Sequence, residues 1–448
     1  MERKNKNWVQ GAIKLLNQKG LYKIMYPLAS CKNFFVNKIL LSNGVFAYGN
    51  GAQAEIAQIR CLGEVFERLS LQKAPNKLLT SPYNKHHHPP MVNPSHYQPI
   101  ASKQFHWVHG ISLSTQKDTL IPSSLIYKDT PRSEILSPSQ TIGSGAAGGF
   151  DKEQCLLGGL YELVERDCFM TITKNKIVPP AIDLDKLRSV YIQKLIEQCC
   201  LLNYKYCLFE ITNDLTIPSF MVIVENKTPK TYATGIKSNL NPIKAIIGAL
   251  EEALAEMIIR SKEGRSKYMH APYFFSQERQ KGILSYEHLN ESIPASVELK
   301  RALGILQKKH IEIYALNTSF FWLAQIKYQT WRVISPHLQP YYYFFRHAEI
   351  REGRLRTVEK FFSENGLNKS HRIKRKADLV AKPLPNEIII INAQNNTIIS
   401  LKGIKKQMWK YLWKTRSQNN IVDRFSQYKN INKQIDFLLK KGVFVTKN

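Results

Sequence analysis

The sequence predicts an α+β protein: a core of mixed sheet and helices, followed by a small winged-helix-like domain. Helical and strand-like stretches alternate up to about residue 345. Two glycine-rich loops lead directly into helices. Beyond a basic, proline-bearing stretch the pattern changes to two strands, three short helices and a closing strand.

The first helical stretch, 53–72, follows Tyr48-Gly49-Asn50-Gly51, and the second, 152–172, follows the glycine loop at 143–149. A third spans about 242–260 and is opened by Asn241-Pro242, where asparagine caps free N–H groups and proline presets the first helical φ. Strand-like stretches lie at 105–114, 205–211, 217–225 and 331–335. Proline and histidine crowd residues 82–98, which predicts an exposed loop. The run His371-Arg372-Ile373-Lys374-Arg375-Lys376 and the segment Lys382-Pro383-Leu384-Pro385 mark a linker. Residues 387–392 and 397–401 then predict a hairpin around Asn395-Asn396. Helices are expected near 403–415, 418–428 and 431–441, with Gly442 stopping the last before Val443-Phe444-Val445. The organisation expected is an N-terminal segment at 1–40, a core domain at 41–345, a linker at 346–386 and a C-terminal module at 387–448.

At 448 residues the chain is long for one core, and 43% hydrophobic with 22% charged residues is a globular composition. Sixty-four Lys and Arg against 35 Asp and Glu give a formal charge of +29, which favours acidic partners and phosphates. Much of the excess is dispersed lysine, which argues for solvated surface over a nucleic-acid groove. The seven cysteines (Cys31, Cys61, Cys155, Cys168, Cys199, Cys200, Cys207) form no C-x-x-C pair and several lie in apolar runs. Such cysteines suit a reducing, cytoplasmic setting. The charged N-terminus is not followed by an apolar signal-peptide core, and nowhere is there a run of about 20 apolar residues as a membrane span requires. A soluble, cytoplasmic protein is expected.

The segments Glu64-Val65-Phe66-Glu67-Arg68 and Glu162-Leu163-Val164-Glu165-Arg166 repeat one pattern, Glu-x-x-Glu-Arg. Positions i, i+3 and i+4 share a helix face, so each copy presents two carboxylates and a guanidinium together. The face of the second copy runs back through Cys155, Gly158 and Gly159, small residues that let something large approach the helix. One copy alone would be a surface ion pair worth only ~0.3–0.5 kcal/mol. Both copies, however, sit among apolar residues (Leu62, Val65, Phe66, Leu69; Leu160, Leu163, Val164, Phe169), which predicts largely buried helices. Buried neighbouring carboxylates repel unless protonated or bound to a cation. Magnesium suits such oxygen ligands and bridges them to phosphates, whose charge the arginines would stabilise. By pattern alone, Glu251, Glu252 and Glu256 on the third helix fit a solvated face better than a binding site.

These motifs and their surroundings resemble the YcaO family over roughly residues 40–345. The carriers are Cys61-Leu62-Gly63 with the first Glu-x-x-Glu-Arg, and the glycine loop at 143–149 leading into Glu162-Leu163-Val164-Glu165-Arg166-Asp167. His106-Trp107-Val108-His109-Gly110, Ile121-Pro122-Ser123-Ser124-Leu125, Thr212-Asn213-Asp214-Leu215-Thr216-Ile217-Pro218 and Val333-Ile334-Ser335-Pro336-His337-Leu338 also have counterparts. The resemblance implies a YcaO-like mixed sheet and helix core holding ATP and Mg2+. It implies Glu64, Glu67, Glu162, Glu165 and Glu252 as metal ligands, with Arg68, Ser144 and Arg166 completing the nucleotide site. It further implies ATP-dependent phosphorylation of a peptide-backbone amide oxygen, attack by a substrate Cys, Ser or Thr side chain, and an azoline ring. Relatives make thioamides or amidines by the same activation. Three positions depart from the family pattern: Gly248 stands where arginine is frequent, Ala255 where glutamine is frequent, and Ser144 where asparagine is usual. The proline-rich C-terminal tail of many azoline-forming members also has only a faint echo, Lys382-Pro383-Leu384-Pro385.

The C-terminal module is similar to PqqD-like peptide-recognition domains in its hairpin, Met408-Trp409-Lys410-Tyr411-Leu412 and closing Lys441-Gly442-Val443. Such modules add a leader peptide as an extra strand, and Lys402, Lys405, Lys406, Lys410, Lys414 and Arg416 would suit an acidic one. A plain structural winged helix or a nucleic-acid binder would carry the same pattern. His86-His87-His88 has no nearby cysteine or carboxylate framework and is expected in a solvated loop. Cys168 has apolar neighbours and is expected in the core. The glycines at 143–149 do not spell Gly-x-x-x-x-Gly-Lys-Ser/Thr and are not a P-loop. The expected function is an ATP-dependent cyclodehydratase acting on a leader-bearing precursor peptide. Expected associates are a separate docking protein, a flavin-dependent dehydrogenase and a second copy of the chain. The contrasting expectation, a non-catalytic scaffold of the same fold, is opposed by retention of all four glutamates in the paired motifs.

Overall fold

The computed structural model describes residues 2–31, 34–75, 78–92, 104–129, 144–184, 187, 189–228, 230–264, 293–339, 349–364, 379–383, 387–392 and 397–402. The chain divides into two compact units, Met1–Ser370 and His371–Asn448.

In the first unit three antiparallel sheets each carry one of the helices expected from sequence. The first sheet runs β1 (Tyr22–Cys31), β2 (Phe34–Leu41), β3 (Phe46–Gly51), and α2 (Ala54–Ser70) lies on β2 and β3. The second has the order β4 (Leu79–Ser81), β5 (Phe105–Ser112), β12 (Tyr314–Asn317), β13 (Gln329–Ile334), β7 (Ala146–Gly149), with β6 (Asp118–Pro122) also paired to β5. The third runs β11 (Lys230–Ser238), β10 (Ser219–Lys227), β9 (Tyr204–Glu210), β8 (Ala181–Ile182); α4 (Val190–Leu201) packs on β9, and α5 (Pro242–Glu263) covers β10 and β11. The central helix α3 (Lys152–Asn175) touches β7 and β13 of one sheet and β10 and β11 of another. It is also packed by α6 (Ala295–Lys308) and α7 (Glu349–Glu364).

Local sequence sets the helix ends. Asp151 accepts a hydrogen bond from the Gln154 N–H to start α3. Asn241 accepts from the Ile243 and Lys244 N–H groups, Pro242 opens α5, and Gly264 closes it in the left-handed conformation. α2 has no side-chain cap. A Cβ on Gly49 would stand 2.1 Å from the Ala57 carbonyl oxygen, so only glycine lets β3 lie this close to α2.

Several segments carry elements that the sequence reading did not place. Residues 1–40 hold α1 (Glu2–Gln18), β1 and most of β2. Val9, Ala12 and Leu16 of α1 are buried at helical spacing, a face obscured by the Lys- and Asn-rich residues before it. The span expected as a linker contains α7, held by burial of Arg354 and Val358, and β14 (Leu379–Pro383). The predicted 82–98 loop is exposed at Pro82, Asn84, Lys85 and His86, but Met91 and Val92 are buried; residues 93–98 lie outside the described residues.

In the second unit β14, β15 (Glu387–Asn392) and β16 (Thr397–Lys402) form an antiparallel sheet in that order. The expected hairpin is therefore present, with an unforeseen strand beside it. The three helices and closing strand expected over 403–448 lie outside the described residues.

Candidate functional site

The two Glu-x-x-Glu-Arg helices and α5 meet around one cavity of about 890 Å3, lined by Tyr48, Asn50, Glu64, Arg68, Arg166, Lys237, Glu252 and Glu256 among others. Each of the five glutamates singled out from sequence accepts a backbone N–H from a neighbouring strand or turn. Glu64 accepts from Tyr48 of β3 at 3.0 Å, and Glu67 from Gly148 of β7 at 2.7 Å. Glu162 accepts from Gly145 at 2.8 Å. Glu165 accepts from Ser238 of β11 at 3.1 Å, and Glu252 from Ile236 of β11 at 3.4 Å. The glycine loop thus serves the carboxylates of two different helices. Gly145 has a φ of +80°, a conformation that glycine adopts without strain.

Cations stand beside the acids. Arg68 pairs with Glu64, donates to the Phe46 carbonyl at 2.6 Å, and lies 5.5 Å from the Phe46 ring centroid. Arg166 reaches Glu162 at 3.4 Å. Lys237 stands 3.5 Å from Glu165 and 3.4 Å from Glu252, tying α3 to α5. Ser144 is half-buried in the turn beside Gly145 and is not part of the cavity lining. The neighbouring acids of α5 diverge. Glu252 faces Lys237, whereas Glu251 is buried and accepts from Tyr191 at 2.6 Å and Arg60 at 2.7 Å. The solvated face expected for α5 is thus partly inside the protein.

The charge is not fully compensated. Burial, then Glu64 and Glu162, push Glu67 up to about 8, against the Gly148 N–H and Arg68. Burial also raises Glu165 to about 7, with Glu252 adding to it and Lys237 opposing. Glu64 is raised chiefly by burial, with Arg68 opposing. Burial pulls Lys237 down, but Glu165 and Glu252 outweigh it and hold the ammonium above its ordinary range.

Among the described residues no three acids surround one point as a metal's ligands would. Their oxygens are bonded instead to amides and cations. The donor set still fits a hard divalent cation: five carboxylates within one cluster, three of them raised in pKa by neighbouring acids as well as by burial. The small residues Gly158 and Gly159 do admit a large neighbour, but it is the protein's own sheet. A Cβ on Gly159 would lie 2.5 Å from the Gly145 carbonyl oxygen, and one on Gly158 3.1 Å from the Ala147 Cβ.

Sequence reasoning missed several groups around this cluster. Asp167, next to Arg166, is fully buried and bound by Arg354 of α7 at 2.6 Å; Arg354 also pairs with Asp214. Lys237 and Ser238 were overlooked because β11 itself was, although Gly235-Ile236-Lys237-Ser238 leads straight into the Asn241-Pro242 cap. Cys168 is buried, with burial pushing its thiol up to about 12, as befits a core residue. His86 and His88 are exposed, and the histidine triplet joins no candidate metal group among the described residues. Among those residues no helix is long and apolar enough to cross a membrane.

Comparison with known proteins gives a consistent result. A family model described as YcaO cyclodehydratase, ATP- and Mg2+-binding, matches residues 48–339. An uncharacterised protein of Methanothermobacter thermautotrophicus is 21% identical over 216 residues, covering 46% of this chain and 55% of that protein. An uncharacterised protein in the tfuA 3′ region of Rhizobium leguminosarum bv. trifolii is 25% identical over 165 residues, covering 34% and 39%. The chain therefore spans about half or less of the length of these curated relatives. Among solved structures, a heterocyclase in complex with substrate and cofactor superposes with a TM-score of 0.65 at 15% identity, over 80% of this chain and 56% of that one. YcaO from Methanopyrus kandleri, bound with AMPPCP and Mg2+, gives 0.61 at 16% identity, over 79% and 93%. At these identities the structures establish the fold.

Proposed function

Because the chain belongs to the YcaO family, we propose that it is an ATP- and Mg2+-dependent enzyme that closes azoline rings in a ribosomally made precursor peptide. The observation that carries this reading is the convergence of Glu64, Glu67, Glu162, Glu165 and Glu252, from three helices on three sheets, beside Arg68, Arg166 and Lys237. The five carboxylates would hold magnesium. Arg68 and Arg166, both in the cavity wall, would bind phosphate oxygens. Bound ATP supplies the phosphoryl group that turns an amide oxygen into a leaving group. Cys, Ser or Thr of the substrate peptide adds its side-chain heteroatom to the amide carbon. The oxygen departs as phosphate, leaving a C=N bond in a five-membered ring, so the peptide loses the elements of water and ATP becomes ADP. The chain's own residues position these groups, offset phosphate charge and restrict water.

A leader-bearing precursor is the substrate this reading requires, with the 387–448 module as its docking element. A separate docking protein and a flavin-dependent dehydrogenase would be further partners. The test is incubation of the full chain with ATP, Mg2+ and Cys-, Ser- or Thr-containing precursor peptides, followed by mass spectrometry and phosphate release. Loss of water matched to phosphate supports azoline formation. Gain of sulfur in place of oxygen when sulfide is present would point to thioamide formation. ATP turnover with neither change would refute the peptide-modifying reading.

A further inference from the structure

Lys237 lies across Gly248. A Cβ built on Gly248 would come within 2.7 Å of the Lys237 Cγ, 3.3 Å of its Cδ and 3.5 Å of its Cβ. The lysine stem therefore runs through the space that any side chain at position 248 would take. Its ammonium ends 3.5 Å from Glu165 on α3 and 3.4 Å from Glu252 on α5. It remains 41% exposed and, with Gly248, belongs to the wall of the cavity that also holds Arg68 and Arg166. Gly248 is one turn before Glu252 on α5. The helix offers no cation at this position, and the neighbouring strand lays one across it.

We propose that Lys237 is a nucleotide-binding residue of this site, supplying from β11 the positive charge absent at Gly248. Resting on the ATP reading above, this inference assigns two linked roles. Lys237 bridges Glu165 and Glu252 and so keeps α3 and α5 in register. It also gives the incoming phosphates an ammonium within the same cavity, as a flexible point charge. Gly248 is required because a side chain there would displace the lysine at its second and third carbons, too near the backbone to swing clear cheaply.

The test is calorimetric titration with ATP and Mg2+ of full-length wild type and variants, each first checked for an intact thermal transition. Lys237→Met is expected to weaken ATP binding about tenfold or more, the scale of a lost charge-assisted hydrogen bond. Gly248→Ala is expected to weaken it too, although every charge is retained. Lys237→Ala combined with Gly248→Arg is expected to bind ATP better than Lys237→Ala alone. Magnesium titrated without nucleotide should bind Lys237→Met more tightly than wild type, because a competing cation has been removed from Glu165 and Glu252. Wild-type binding that Lys237→Met leaves unchanged would overturn this inference while sparing the ATP site. Failure of folded wild type to bind ATP would overturn both.

Discussion

A single methyl group, added at two different glycines, is expected to have opposite effects. Gly235 on β11 approaches α5 so closely that a Cβ would stand 2.0 Å from the Ala249 carbonyl oxygen and 2.4 Å from the Ala253 nitrogen. Carbon and oxygen settle near ~3.3 Å, so strand and helix would have to part by more than about 1 Å. Both obstructing atoms are helix backbone and cannot rotate away, which puts Gly235→Ala at the upper end of overpacking costs, about 3 kcal/mol. At roughly 2 °C per kcal/mol, the thermal midpoint should fall by about 6 °C. The same displacement separates Glu252 from Lys237 and from the Ile236 N–H, and misplacement of about 1 Å in the proposed phosphoryl-transfer site costs on the order of 100-fold in rate. Gly304 is in the interior of α6 with nothing within 4 Å of its would-be Cβ. There Ala should stabilise by about 0.5–1 kcal/mol through helix propensity alone. Calorimetric unfolding of both variants, with ATP turnover, decides the matter. A Gly235→Ala protein with wild-type midpoint and turnover would refute the close strand–helix approach on which the site depends.

Two further outcomes follow from the buried charges. Glu67 ionises near 4.5 when unfolded and at about 8 in the fold, so across that range the folded state holds a proton the unfolded state has lost. Stability of the metal-free protein should therefore fall as pH rises from 4.5 to 8 and level off above, with Glu165 adding to the slope up to about 7. Urea unfolding across pH checks this, and Glu67→Gln should flatten the trend. Arg354→Met strips the buried carboxylates of Asp167 and Asp214 of their shared guanidinium. A loss of about 3–5 kcal/mol is expected, partly relieved when Asp214→Asn is combined with it; a smaller loss in thermal unfolding would show the pair to be solvated.

Much of this site can be traced to residues adjacent in sequence. The Glu-x-x-Glu-Arg spacing needs only helical periodicity to put its acids on one face, and the Asn241-Pro242 cap locates α5 without tertiary information. The convergence of the three helices is another matter. It depends on glycines whose role is distance: Gly49 between β3 and α2, Gly159 between α3 and the loop carbonyl, Gly235 between β11 and α5. A glycine in a strand pattern signals close approach but not the partner. The same limit hid Arg354, 187 residues from Asp167 and ahead of the basic run at 371–376 that marked the span as a linker. Lys237 was one lysine among many in a basic chain until the space over Gly248 singled it out.

The most direct measurement is calorimetric titration of ATP, with and without Mg2+, into wild type and Glu165→Gln. The amide of the variant keeps the shape of a side chain that accepts from Ser238 and faces Lys237, while removing its charge. Mg2+-dependent binding by wild type, lost in the variant, is the expected result. Folded wild-type protein that binds no ATP, or a Glu165→Gln protein that binds it as well with Mg2+ as wild type does, would contradict it.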